Sequence, residues 1–195
     1  MKKVLILLVA LMIPVFIFGE NYNALWKKVA QAEEKDLPKS EYEWLQKIVK
    51  KAEKGKDYGH LLKAELLGAQ VMAGIAPDSL KPEMTRIAER CQQTDDEILR
   101  LVYQTVLYRV GNRYSYLHLQ DKRPELTEAL CDQLAKVKED EYVPFVVKGS
   151  DSELFNHDLL SIIGFELSEQ DMLYDYYVKT GNRRAACIVA SRYFQ

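Results

Sequence analysis

Apolar positions recur every three or four residues along almost the whole chain, the spacing of helices that each bury one face. Leu25, Val29 and Ala32, with Trp26 beside them, predict a first helix. The stretch Asp36-Leu37-Pro38-Lys39-Ser40 breaks the pattern, and Pro38 suits the first turn of the next helix, where a missing N–H costs nothing. Tyr42, Leu45, Ile48, Val49 and Ala52 then form a second stripe, and Gly55 and Gly59 bracket a turn. Leu61, Leu62, Ala64, Leu66, Ala69 and Met72 continue as a third helix that ends near Gly74. Ala76 to Pro82, with two prolines, reads as a loop. Met84, Ile87, Ala88 and Cys91 mark a fourth helix.

Thr94-Asp95-Asp96-Glu97 fits a capping box, in which Thr accepts from the backbone and Glu reaches back to the cap amide. Behind it, Ile98 to Val110 is apolar almost all round, the pattern of a helix buried on most sides, and predicts the central element. Arg123-Pro124 is expected to open another helix carrying Leu126, Leu130, Leu134 and Val137. Tyr142 to Val147 is the one β-like run, and Pro144 demotes it to an edge strand or an extended connector docked on helices. Ser150-Asp151-Ser152-Glu153 is a second capping-box match, followed by Leu154, Phe155, Leu159, Leu160 and Ile163, with Gly164 as the expected end of that helix. Ser168 is expected to cap the next, which carries Met172, Leu173, Tyr176 and Tyr177. Thr180-Gly181-Asn182 turns the chain into a last helix with Ala185, Ala186, Ile188, Val189 and Ser191.

The fold expected is therefore all-α, with about nine helices in antiparallel pairs. No strict repeat period emerges, so an irregular tetratricopeptide-like arrangement and a compact irregular α-domain both fit the spacing. The final helix reaches Gln195 without a helix-ending signal, which suggests a longer parent protein cut inside or just after a helix.

The first residues change the picture. Met1-Lys2-Lys3 is a short positive start, Val4 to Phe18 is an apolar run of about 15 residues, and Gly19 is small enough for cleavage, the three parts of a secretory signal. The run falls short of the roughly 20 residues that span a bilayer, and no Cys lies there to accept a lipid. Residues 1–19 are thus read as a signal peptide and 20–195 as one helical domain. The mature protein is expected in the periplasm or cell envelope, non-lipidated and without stable membrane insertion. The full chain carries 27 Lys and Arg against 29 Asp and Glu, a formal charge of −2. That balance gives no net attraction for nucleic acid and argues against a polybasic membrane patch.

Candidate chemistry is sparse. Cys91, Cys131 and Cys187 sit at wide spacing, without C-x-x-C, and read as small apolar side chains on helical stripes. No two of His60, His118 and His157 have metal-pair spacing. Glu153 and His157 lie one helical turn apart, next to Asp158, and form either an acid–base or metal pair or simply a cap and a polar face. Phosphate-binding loops and nucleophile elbows are missing. Tyr103, Tyr108, Tyr114 and Tyr116 cluster, as do Tyr174, Tyr176 and Tyr177; they line a peptide groove or pack at the core edge with the hydroxyl in water. Arg109, Arg113, Arg123, Arg183 and Arg184 add ion pairs. On this reading the domain is non-catalytic, and no residue is assigned to catalysis, a metal or a cofactor.

One resemblance rests on several phrases in order: Leu25-Trp26-Lys27-Lys28-Val29 directly after the export signal, Asp36 to Ser40, Lys63-Ala64, Asp151 to Leu160, then Tyr176-Tyr177 with Gly181-Asn182-Arg183. Together they resemble the N-terminal region of large bacterial proteins of the alpha-2-macroglobulin family, over essentially residues 20–195. Members of that family trap proteases by closing around them, and many carry a thioester in a Cys-Gly-Glu-Gln motif. None of the three cysteines here begins that motif. The resemblance implies a helical leader that docks, with trapping left to β-domains beyond Gln195, and a protein partner: those β-domains or an envelope protein. A free-standing tetratricopeptide-like binding module is the alternative, and an exposed stripe over Ala185, Ile188 and Val189 would favour a missing continuation.

Overall fold

The computed structural model describes residues 21–118, 122–140 and 156–193. Nine α-helices lie among them: α1 Tyr22–Glu34, α2 Pro38–Gly55, α3 Tyr58–Ile75, α4 Pro77–Gln93, α5 Glu97–Arg113, α6 Glu128–Leu134, α7 Leu159–Glu166, α8 Gln170–Lys179 and α9 Arg183–Tyr193. No strand occurs among the described residues, where the one β-type contact is an isolated antiparallel bridge between Lys138 and Asp158. The signal segment, the β-like run 142–147, the capping box 150–153 and Leu154 and Phe155 lie outside the described residues.

Sequence neighbours pack side by side: α1 on α2, α2 on α3, α3 on α4, α4 on α5, and then α7 on α8 and α8 on α9. Crossings of α3 on α5, α5 on α7 and α3 on α7 draw these pairs into one hydrophobic core. The predicted stripes are the buried ones, with Leu45, Ile48 and Ala52 on α2 and Leu101, Val102, Val106 and Val110 on α5 all sealed from solvent. The expected central helix α5 shares that place with α3, which touches four other helices. A helix surrounded in this way has little room for a polar face, and α3 accordingly buries Leu61, Leu62, Ala64, Gly68 and Ala69 around its circumference.

Pro38 opens α2 at its first position, as its missing N–H requires. The segment 76–82 is not a loop. Pro77 opens α4 in the same way, and Pro82 sits within that helix. Being only in the second turn, Pro82 costs one intrahelical bond, that to the carbonyl of the exposed Asp78. The capping box at 94–97 is displaced: Asp96, not Thr94, caps α5, its carboxylate accepting from the Leu99 N–H at 3.0 Å. Thr94 ends α4 and accepts from the Asp96 N–H at 3.2 Å. Arg123-Pro124 does not open a helix; Thr127 caps the shorter α6. Asp158 caps α7, accepting from the Ser161 N–H at 2.8 Å.

Gly164 is internal to α7 rather than its end. A Cβ built there would lie 2.7 Å from Leu173, so its bare backbone allows α8 to approach. Ser168 adopts a left-handed conformation (φ 59°) in the turn, and α8 starts after Glu169 without a side-chain cap. Gly181, at φ 75°, makes the last turn as expected, and Asn182 accepts from the Ala185 N–H at 3.2 Å. On α9, Ala185, Ile188 and Val189 are buried.

Candidate functional site

One face of α3 repeats at helical spacing: Lys63, Leu66, Leu67 and Gln70. The last turns of α5 bring Arg109, Val110, Asn112 and Arg113 opposite it, followed by Tyr114. Glu166, at the end of α7, closes one side. Together they line a groove of about 550 Å³, open to solvent. Leu66, Leu67 and Val110 are its apolar lining; Lys63, Arg109 and Arg113 are its cations. Arg109 donates through Nε to Glu166 Oε2 at 3.0 Å, and Arg113 donates through Nη1 to the Gln70 carboxamide at 3.1 Å. The Arg113 guanidinium also lies over the Tyr114 ring, 5.8 Å from its centroid. Arg113 stands in the last turn of α5, where the helix dipole favours a cation.

The predicted arginine ion pairs are real for two residues, Arg109 with Glu166 and Arg123 with Glu169 at 3.1 Å. The tyrosine clusters divide. Tyr103 is fully buried and donates to Glu53, and Tyr177 is buried and donates to Asp158 at 2.8 Å. Tyr176 reaches Asp132 at 2.8 Å, while Tyr116 and Tyr174 are exposed. Of these tyrosines only Tyr114 lines the groove.

The other candidate chemistry is tied up in the fold. Glu153 lies outside the described residues. His157 Nδ1 sits 3.1 Å from Asp140 Oδ1, and Asp158 is not part of a polar face but a buried cap. Burial raises the Asp158 carboxyl, against the pull of the Ser161 N–H and the Tyr177 hydroxyl. His60 is enclosed by α1: Tyr22 stacks on it with centroids 3.7 Å apart, and its Nδ1 accepts from Trp26 Nε1 at 3.0 Å. That buried site disfavours the cation and lowers the imidazole to about 4, so it is neutral at physiological pH. Cys91 and Cys131 are buried as expected, and burial raises the Cys131 thiol. Cys187 is exposed, a correction, because it faces away from the Ala185–Val189 stripe of α9. All three are free thiols.

Three buried carboxylates, Glu65, Glu83 and Glu139, were missed from sequence. Glu65, 2% exposed, bonds Arg90 at 2.9 Å; Arg90 also lies 4.0 Å from Glu53, which accepts from Tyr103. This network ties α2, α3, α4 and α5 together. Burial drives the Glu65 carboxyl to about 7 in spite of Arg90. Its signal was a lone acid in the middle of an apolar helix. Glu139 gave no such signal, since it sits in a run of charged residues. Its Oε1 accepts from the Gly59 N–H at 3.2 Å, capping α3 from 80 residues away, and burial raises it to about 7.

No family model, curated protein or solved structure matches this chain. No helix among the described residues is long and apolar enough to cross a membrane, and no group of three or more His, Cys, Asp and Glu among them is placed to hold a metal ion.

Proposed function

We propose that this chain is a non-catalytic, exported helical docking domain that receives a segment of a protein partner in the groove between α3, α5 and α7. The groove itself carries the reading. It combines an apolar lining with arginines and an aromatic side chain at the edge, the combination that supplies both burial and orientation at recognition sites. The side chains with reactive potential elsewhere are committed to packing: His60 to Trp26 and Tyr22, Asp158 to the α7 cap. Export rests on the pattern of residues 1–19.

The partner follows from the ordered phrases that resemble the alpha-2-macroglobulin family. On that basis the domain is the N-terminal part of a bacterial protease inhibitor, docking to its β-domains or to an envelope protein while those domains trap the protease. A second reading, a free-standing tetratricopeptide-like periplasmic binding module, is favoured by the burial of Ala185, Ile188 and Val189, of which Ala185 and Val189 belong to this domain's own core.

The test is photocrosslinking in the native cell. A photoreactive residue is placed at the exposed Gln70, and the envelope fraction is blotted after irradiation. A discrete crosslinked species outside the cytoplasm is the expected result. Only uncrosslinked chain, or chain retained in the cytoplasm, overturns the reading. A native product far longer than 195 residues supports the inhibitor assignment, and a stable product near the mature length replaces it with the module.

A further inference from the structure

We infer that the groove takes an acidic peptide segment with interleaved aliphatic residues, and that Glu166 is the resident carboxylate which that segment displaces from Arg109. The inference deepens the docking reading and rests on it. Three of the lining side chains, Lys63, Arg109 and Arg113, are cations and only Glu166 is an anion, in a chain whose formal charge is −2. The groove therefore opposes the sign of the molecule around it, and complementary charge is what steers and selects a partner. Between the cations lie Leu66, Leu67 and Val110, so carboxylates alone leave the apolar lining wet, whereas alternating carboxylate and aliphatic side chains meet both surfaces.

Two contacts make the site exchangeable. Arg109 and Glu166 are 46% and 32% exposed, and an ion pair in that much water is worth little, so an incoming carboxylate displaces Glu166 at small cost. Arg113 spends its Nη1 donor on a neutral carboxamide, Gln70 Oε1. A carboxylate in that place meets the guanidinium with a full opposite charge and can pair with it through two parallel bonds, where the carboxamide oxygen offers only a dipole.

The experiment measures fluorescence anisotropy of a labelled peptide of alternating Glu and Leu, titrated with the purified full chain. The same peptide with Gln for Glu is the control, and an oligonucleotide is the competitor. The acidic peptide is expected to bind about tenfold more tightly than its Gln counterpart and to weaken as salt is raised. Arg109→Gln and Arg113→Gln each weaken it about fivefold. Glu166→Gln tightens it about threefold, a gain that misfolding does not imitate. Equal binding of the two peptides overturns the acidic assignment, and so does failure of both to bind while Gln70 still crosslinks a partner in cells. Failure of both peptides together with loss of that crosslink overturns the docking reading as well. An oligonucleotide that competes as well as the acidic peptide overturns the peptide assignment. Unchanged or weaker binding by Glu166→Gln overturns the displacement.

Discussion

Replacing Glu139 by Gln is expected to stabilise the protein near pH 8 and to leave it unchanged near pH 4. The carboxyl rises from its ordinary 4.5 to about 7 on folding, because burial disfavours the charge more than the Gly59 N–H favours it, with Asp57 adding repulsion. A folded value above the unfolded one means that the folded state prefers the proton. The contribution is fully favourable below about 4.5 and is lost as pH rises through about 7. At about 1.4 kcal/mol for each tenfold change in proton affinity, the loss at high pH amounts to about 3 kcal/mol. Gln keeps an oxygen for the Gly59 N–H at 3.2 Å and carries no charge to desolvate. Glu139→Ala also removes that acceptor, so its gain is expected to be smaller by about 1 kcal/mol. The wild-type profile alone does not isolate the effect. Glu65, raised to about 7, acts in the same direction, while His60, lowered to about 4, loses stability as pH falls from about 6.5. The variant-minus-wild-type difference isolates it, from urea unfolding by circular dichroism at a series of pH values with a constant slope m. A difference that stays flat across pH, or a Gln variant less stable than wild type near pH 8, refutes the burial argument.

His60 should titrate near 4 by NMR in the folded protein, well below the unfolded histidine, and a midpoint near 6.5 would show that α1 does not enclose it. Trp26→Phe keeps an aromatic ring, smaller than indole, but removes the N–H that donates to His60 Nδ1, and a loss of about 1–3 kcal/mol is expected in denaturant unfolding. Gly164→Ala sets a methyl 2.7 Å from Leu173 and should cost about 1–3 kcal/mol through overpacking; a thermal midpoint equal to wild type would contradict the close approach of α7 and α8. A cycle of Asp158→Asn and Tyr177→Phe should show coupling of about 1 kcal/mol, and strict additivity would break the assigned hydrogen bond.

The helices were legible because burial and periodicity coincide: Leu45, Ile48 and Ala52, or Leu101, Val102 and Val106, are spaced by the helix and sealed by its neighbours. Errors arose where a residue's local preference was outweighed by its surroundings. Pro82 reads as a breaker but stands close enough to the start of α4 to lose only one bond. Gly164 reads as a stop, yet what requires it is Leu173 on the next helix. At 94–97 two capping residues compete within one turn, and geometry gives the role to Asp96. The groove was not read from sequence: Leu66 stood in the α3 stripe and Arg109, Arg113 and Tyr114 in separate clusters, with nothing to join them. The meeting of Leu66 with Arg109, Arg113 and Glu166 depends on how three helices cross, and no local pattern encodes that. Glu139 is the extreme case, because the amide it caps is 80 residues distant.

That distance also orders the birth of the molecule. The helices α1 to α5 meet mainly their neighbours in sequence, so they can associate through short loops early in folding. The strip around Glu139 is held differently. Its N–H donates to the His157 carbonyl at 3.0 Å, the Val137 carbonyl accepts from the Leu159 N–H at 3.1 Å, and its carboxyl reaches back to Gly59. It closes only when chain from both sides has arrived, which carries the entropy cost of a long loop. A chain synthesised from its N-terminus therefore presents the helices α1 to α5 first, and the start of α3 stays uncapped by Glu139 until residues 137–140 and 156–159 have followed.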